Sequence, residues 1–124
     1  MAKQYEILLA DLQKAVELLD DVLKNPGSDL IRDRDSAIKR FEIAFDLCWK
    51  YAKVYLEEEK GVICKSPKDC FRELYKQGVI KYDQEWLKMT DMRNDTVHTY
   101  DEELAQKIFS QLPIIIKYFR ELLN

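Results

Sequence analysis

Residues 35–60, DSAIKRFEIAFDLCWKYAKVYLEEEK, contain neither glycine nor proline and are apolar on two sides at helical spacing. Ile38, Phe41, Phe45, Cys48, Ala52 and Tyr55 make one face, and Ala44, Leu47, Tyr51 and Val54 make a second. A helix with two apolar faces has more surface to hide than one neighbour covers. It therefore belongs at the centre of a helical bundle, or it also faces a partner chain. Its start falls at Asp29 or Asp35, and Gly61 closes it.

The rest of the chain has few places to turn, with three glycines and three prolines in 124 residues. Tyr5, Leu9, Leu12, Val16, Leu19 and Leu23 form one stripe, ended by Asn25-Pro26-Gly27. Ser66-Pro67-Lys68-Asp69 is a helix start with a capping hydroxyl and proline at the first helical position. Phe71, Leu74 and Tyr75 supply its buried face, and Gly78 stops it. Asp83 caps the next segment, which turns Trp86, Met89 and Val97 inward. Asp101-Glu102-Glu103 opens a last helix with Leu104, Ile108, Leu112, Ile115, Phe119 and Leu122 as its stripe, and Pro113 should kink it. No strand alternation competes. The expected fold is all-α, an up-and-down bundle of four to five helices forming a single domain over residues 1–124.

Charge excludes some functions. Residues 1–60 carry ten Lys and Arg against thirteen Asp and Glu, and residues 61–124 carry ten of each. Neither half is a polycation, so nucleic-acid binding driven by counterion release is not advertised. Arg32, Arg34, Lys39 and Arg40 are the local basic cluster that could meet a polyanion, although Asp33 and Asp35 interleave with them. No apolar run approaches a membrane span. Cys48, Cys64 and Cys70 are odd in number with no apolar leader before them, which reads as reduced thiols in a cytoplasmic protein. With one histidine they are too scattered for a zinc site, and no cofactor is implied.

The chemistry concentrates in RNDTVHTY, residues 93–100, which holds the single histidine. On an unbroken helix Arg93 and His98 would not share a face. Asn94, Asp95, Thr96 and Val97 are indifferent helix formers, so the helix can loosen there. If the chain is extended from His98 to Tyr100, imidazole and phenol fall on one side. If the helix persists, Asn94 lies one turn below His98 and can orient the ring. Either way a fixed positive charge, a group titrating near neutrality and polar orienters gather at a helix end. That set suits RNA cleavage through the 2′-hydroxyl, which needs a base, an acid and positive charge on the phosphorane. One chain supplies one imidazole; a symmetric dimer would supply two.

Blander readings stand beside this one. A lone histidine near a helix end often caps or packs, and Tyr100 could cover the bundle end. Trp49 and Trp86 read as core. Glu42 and Asp46, one turn apart, could aid a site, yet such pairs are usually solvated. Glu57-Glu58-Glu59-Lys60 reads as a solvated helix tail.

The spacing Arg, four residues, His, any residue, Tyr resembles the signature of the HEPN domain family. RDSAIKRFEIAFDLCWKYAKVYLEEEKG at 34–61, with SPKDCFRELYKQGVI and EWLKMTDMRNDTVHTYDE, is similar to the branch known as nucleotidyltransferase substrate-binding proteins. The resemblance implies a helical bundle, a homodimer, and a complex with a minimal nucleotidyltransferase. It further implies a toxin that is a metal-independent ribonuclease, with RNA as a transient substrate. Arg93 and His98 would be the catalytic pair, Asn94 an orienter, and Tyr100 the acceptor of AMP from the partner that neutralises the toxin. The alternative is a catalytically idle subunit that presents itself, or a nucleotide substrate, to the nucleotidyltransferase. The helix-two residues Arg40, Glu42 and Asp46 are not assigned by it.

Overall fold

The two apolar faces of the long central helix are covered from within the chain. In the computed structural model, which describes residues 3–124, α1 (Gln4–Lys24), α2 (Leu30–Lys60), α3 (Pro67–Lys76), α4 (Gln84–Asp95) and α5 (Glu102–Leu123) follow in order, with a 3₁₀ turn (Thr96–His98) between the last two. Helix α2 packs on α1, α3 and α5, so its double-sidedness reflects its central place and does not by itself call for a second chain. Met1 and Ala2, inside the single domain expected over 1–124, lie outside the described residues.

The caps set the boundaries. Asp29 accepts from the Arg32 N–H at 3.0 Å, which starts α2 six residues before Asp35. At the far end Gly61 takes a left-handed φ of 65°, a conformation only glycine adopts freely, and its N–H returns to the Leu56 carbonyl. Ser66 caps α3 as expected. Asp83 precedes α4, but its side chain caps nothing, and its own backbone is already helical. Helix α5 runs on through Pro113, which sits on the exposed side.

The core is aromatic where the helices meet. Trp86 is fully buried, with its ring 4.9 Å from Phe71 and 6.0 Å from Phe119, and Phe41 stacks on Phe119 at 6.2 Å. Truncating any one of these to alanine costs roughly 3–5 kcal/mol, because the cavity only partly collapses. Three apolar assignments differ from expectation. Val97 and Tyr75 are exposed, and Trp49 is half-buried under the Lys53 ammonium. Val97 follows the end of α4, where the tighter 3₁₀ turn rotates it off the helical phase.

The cysteines also differ. Cys64 and Cys70 form a disulfide across the link from α2 to α3, with Cα atoms 5.2 Å apart, and only Cys48 is free. An odd count excludes complete pairing; it does not exclude one bridge beside one buried thiol. Burial pushes the Cys48 thiol well up. Among the described residues no helix is long and apolar enough to cross a membrane.

Candidate functional site

The stretch from Arg93 to Tyr100 is neither extended nor a continued α-helix. Helix α4 gives way at Asp95 to the 3₁₀ turn, because local side chains offer the backbone other partners. The buried Thr96 hydroxyl donates to the Arg93 carbonyl at 2.7 Å, and the Thr99 hydroxyl donates to the Thr96 carbonyl at 3.2 Å. The Asp101 N–H then bonds the His98 carbonyl, and the Asp101 carboxylate caps α5 by accepting from Leu104. These bonds make the motif a folded corner between two helices.

Arg93 is held from three sides. Its Nε and Nη2 donate to the two Asp46 carboxylate oxygens at 3.0 and 3.3 Å, and its Nη1 donates to Thr96 Oγ1 at 2.8 Å. Glu42 Oε2 lies 3.9 Å from Nη1. Each terminal nitrogen carries one further N–H beyond these hydrogen bonds. The hydrogen bond to Asp46 raises the guanidinium above its ordinary range; partial burial opposes this, and the charges of Asp46 and Glu42 add to it. Glu42 and Asp46 are therefore a clamp on the motif arginine as well as a helix flank. Forty-seven positions separate Asp46 from Arg93, so no local spacing could reveal the pair.

His98 and Tyr100 form the second half of the site. Tyr100 Oη lies 3.2 Å from His98 Nδ1, with the rings edge to face at 5.9 Å and 87°. Both are exposed, Tyr100 by 81%. Asn94 is exposed too, and among the described residues its amide makes no hydrogen bond to the imidazole; the phenol holds the ring instead. No hydrogen bond joins the Arg93 and His98 halves among the described residues.

A groove of about 490 Å³ opens beside Tyr100, lined by Ile31, Ile38, Lys39, Glu42, Thr99 and Glu102 among others. Its floor explains part of the basic cluster. Arg34 is buried and engages Glu102 through two hydrogen bonds of 2.7 and 3.3 Å, tying α2 to the first turn of α5. Arg34 is thus an internal tie and does not present its charge to a polyanion, while Lys39 faces Glu42 at 3.6 Å. The hydrogen bond from Arg34 holds the Glu102 carboxyl below the usual carboxylate range.

Residues 2–124 match the family described as nucleotidyltransferase substrate binding protein like. A Haemophilus influenzae protein named probable ribonuclease HepT is 34% identical over 80 residues, covering 61% of this chain. The match spans 55% of that relative's length. A crystal structure from Thermus thermophilus aligns over 90% of this chain and 95% of its own, at 34% identity and a TM-score of 0.83. A second structure, from Haemophilus influenzae, is titled as revealing the fold of a substrate binding domain of a nucleotidyltransferase; it covers 96% and 93% at 26% identity and a TM-score of 0.72. With the family's match running almost end to end over the bundle and its folded motif, the chain belongs to the nucleotidyltransferase substrate binding protein-like family.

Proposed function

We propose that residues 1–124 form one HEPN-type domain that acts as a homodimeric, metal-independent ribonuclease toxin, silenced when a minimal nucleotidyltransferase transfers AMP to Tyr100. The observation that carries this reading is the α4–α5 corner: a turn pinned through Arg93 and Thr96 that presents an imidazole and a phenol to solvent 3.2 Å apart. The relative named probable ribonuclease HepT supports it.

In this reading His98 takes the 2′-hydroxyl proton or returns one to the leaving oxygen. Arg93 meets the phosphate through the N–H groups that Asp46 and Thr96 leave open. Asn94, exposed at the end of α4, is the site-orienting residue of this reading. One histidine serves one proton transfer, so a second copy serves the other. Ile31 and Val97, both exposed, offer that copy apolar surface near the motif. AMP on Tyr100 adds bulk and negative charge against His98, where the substrate phosphate must sit. The chemistry calls on no cofactor, and RNA and ATP as reactants are what support a cytoplasmic setting in this reading.

The test uses the purified chain with mixed RNA in a chelator. Cleavage is expected, and it is lost in both His98→Ala and Arg93→Ala; intact RNA with wild type counts against the nuclease. Light scattering checks for the dimer. With the nucleotidyltransferase, ATP and magnesium, the intact mass should rise by multiples of AMP, and Tyr100→Phe should abolish the rise.

One observation favours the alternative, a non-catalytic subunit that binds substrate for the nucleotidyltransferase. Two carboxylates already face Arg93, so a phosphate must compete with them. A wild-type chain that is harmless to cells and inert to RNA, yet binds the nucleotidyltransferase, would decide for that reading.

A further inference from the structure

We propose that His98 is the general base for adenylylation of Tyr100, so that one imidazole serves both the nuclease and the step that silences it. The proposal rests on the reading of Tyr100 as AMP acceptor and adds the group that activates it. A phenol is a weak nucleophile while it keeps its proton, and it needs an adjacent base as it attacks phosphorus. In the neutral ring with its proton on Nε2, the Tyr100 O–H donates to His98 Nδ1 at 3.2 Å, which is within reach for proton transfer. Tyr100 is 81% exposed, so a nucleoside triphosphate held by a partner can approach it.

The other candidate bases near the phenol are already engaged. Glu102 takes the Arg34 guanidinium, Asp35 lies 3.5 Å from Arg34 Nε, and Glu42 faces Lys39 and Arg93. Among the described residues His98 is the group hydrogen-bonded to the phenolic oxygen.

The step balances as follows. Tyr100 Oη attacks the α-phosphorus of ATP and forms an Oη–P bond. The bond from that phosphorus to the bridging oxygen breaks, and pyrophosphate leaves with the electron pair. The phenolic proton moves to His98 Nδ1. The resulting imidazolium faces the new phosphodiester and draws it onto the ring that RNA cleavage requires. Variants that lose the nuclease through His98 should therefore also be poor acceptors.

The experiment is single-turnover AMP transfer from labelled ATP, with the full chain bound to the nucleotidyltransferase. Wild type, His98→Ala, His98→Gln and Tyr100→Phe are compared at saturating partner, after matched thermal melts. Transfer to His98→Ala and His98→Gln is expected to slow by roughly 10²–10⁴-fold. Added imidazole should restore part of the rate in His98→Ala and none in Tyr100→Phe. A wild-type rate in His98→Ala, alongside none in Tyr100→Phe, overturns the base role and leaves the acceptor standing. No AMP on the wild-type chain overturns both.

Discussion

Removing the Asp46 carboxylate should destabilise the protein through Arg93, by an amount that a double-mutant cycle can isolate. The pair has two charge-assisted hydrogen bonds, at 3.0 and 3.3 Å, between side chains that are 25% exposed for Arg93 and 48% exposed for Asp46. A hydrogen bond to a charged group is worth roughly 1.5–3 kcal/mol when shielded, whereas exposed ion pairs give about 0–1 kcal/mol. The half-exposed carboxylate and the longer second bond place the coupling between those limits, at about 1 kcal/mol. Arg93→Ala alone should cost more, since it also removes the donor to Thr96 and the buried stem of the side chain. Hence the cycle: wild type, Asp46→Ala, Arg93→Ala and the double variant are unfolded in urea at about pH 7, and the non-additive part is taken as the interaction. Coupling below about 0.3 kcal/mol would be indistinguishable from additivity. That outcome would refute the clamp.

Three further outcomes are expected. Thr96→Val deletes a buried hydroxyl that donates to the Arg93 carbonyl and accepts from its guanidinium, and should cost roughly 1–3 kcal/mol in urea denaturation. Glu102 has its folded-state pKa depressed by Arg34, so its contribution is present above the ordinary carboxylate value of 4.5 and is lost as pH falls through the lowered one. Wild type should accordingly exceed Glu102→Gln in stability at about pH 7, with the gap closing on acidification to about pH 3; a gap independent of pH contradicts the pairing. Reducing the Cys64–Cys70 bridge should lower stability by about 2 kcal/mol, the loop-closure value for so short a loop, and should leave RNA cleavage unchanged, because the motif lies on the α4–α5 corner.

Periodicity and caps carried most of the fold because they are local. The two-sided pattern of residues 35–60 demanded a central helix, and Ser66-Pro67 and Asp101 begin helices where capping chemistry puts them. Local patterns misplace Val97 because the backbone changes to a 3₁₀ turn past the end of α4, and Tyr75 because it lies on the outer side of a regular α3. The basic cluster misled for another reason: a run of charges does not say that Arg34 reaches an acid sixty-eight positions away.

The sequence by itself determined the class of fold, several helix ends and the identity of the motif side chains, since helical spacing, capping and residue chemistry act within a few positions. Only the tertiary structure decided what those side chains face: Arg93 against Asp46, Glu42 and Thr96, and His98 against Tyr100 in a 3₁₀ corner. It also decided that α2 buries both its faces inside the chain and that Cys64 meets Cys70. Such pairings depend on where distant helices cross. That crossing is fixed by the packing of the whole bundle, to which no short stretch of chain corresponds.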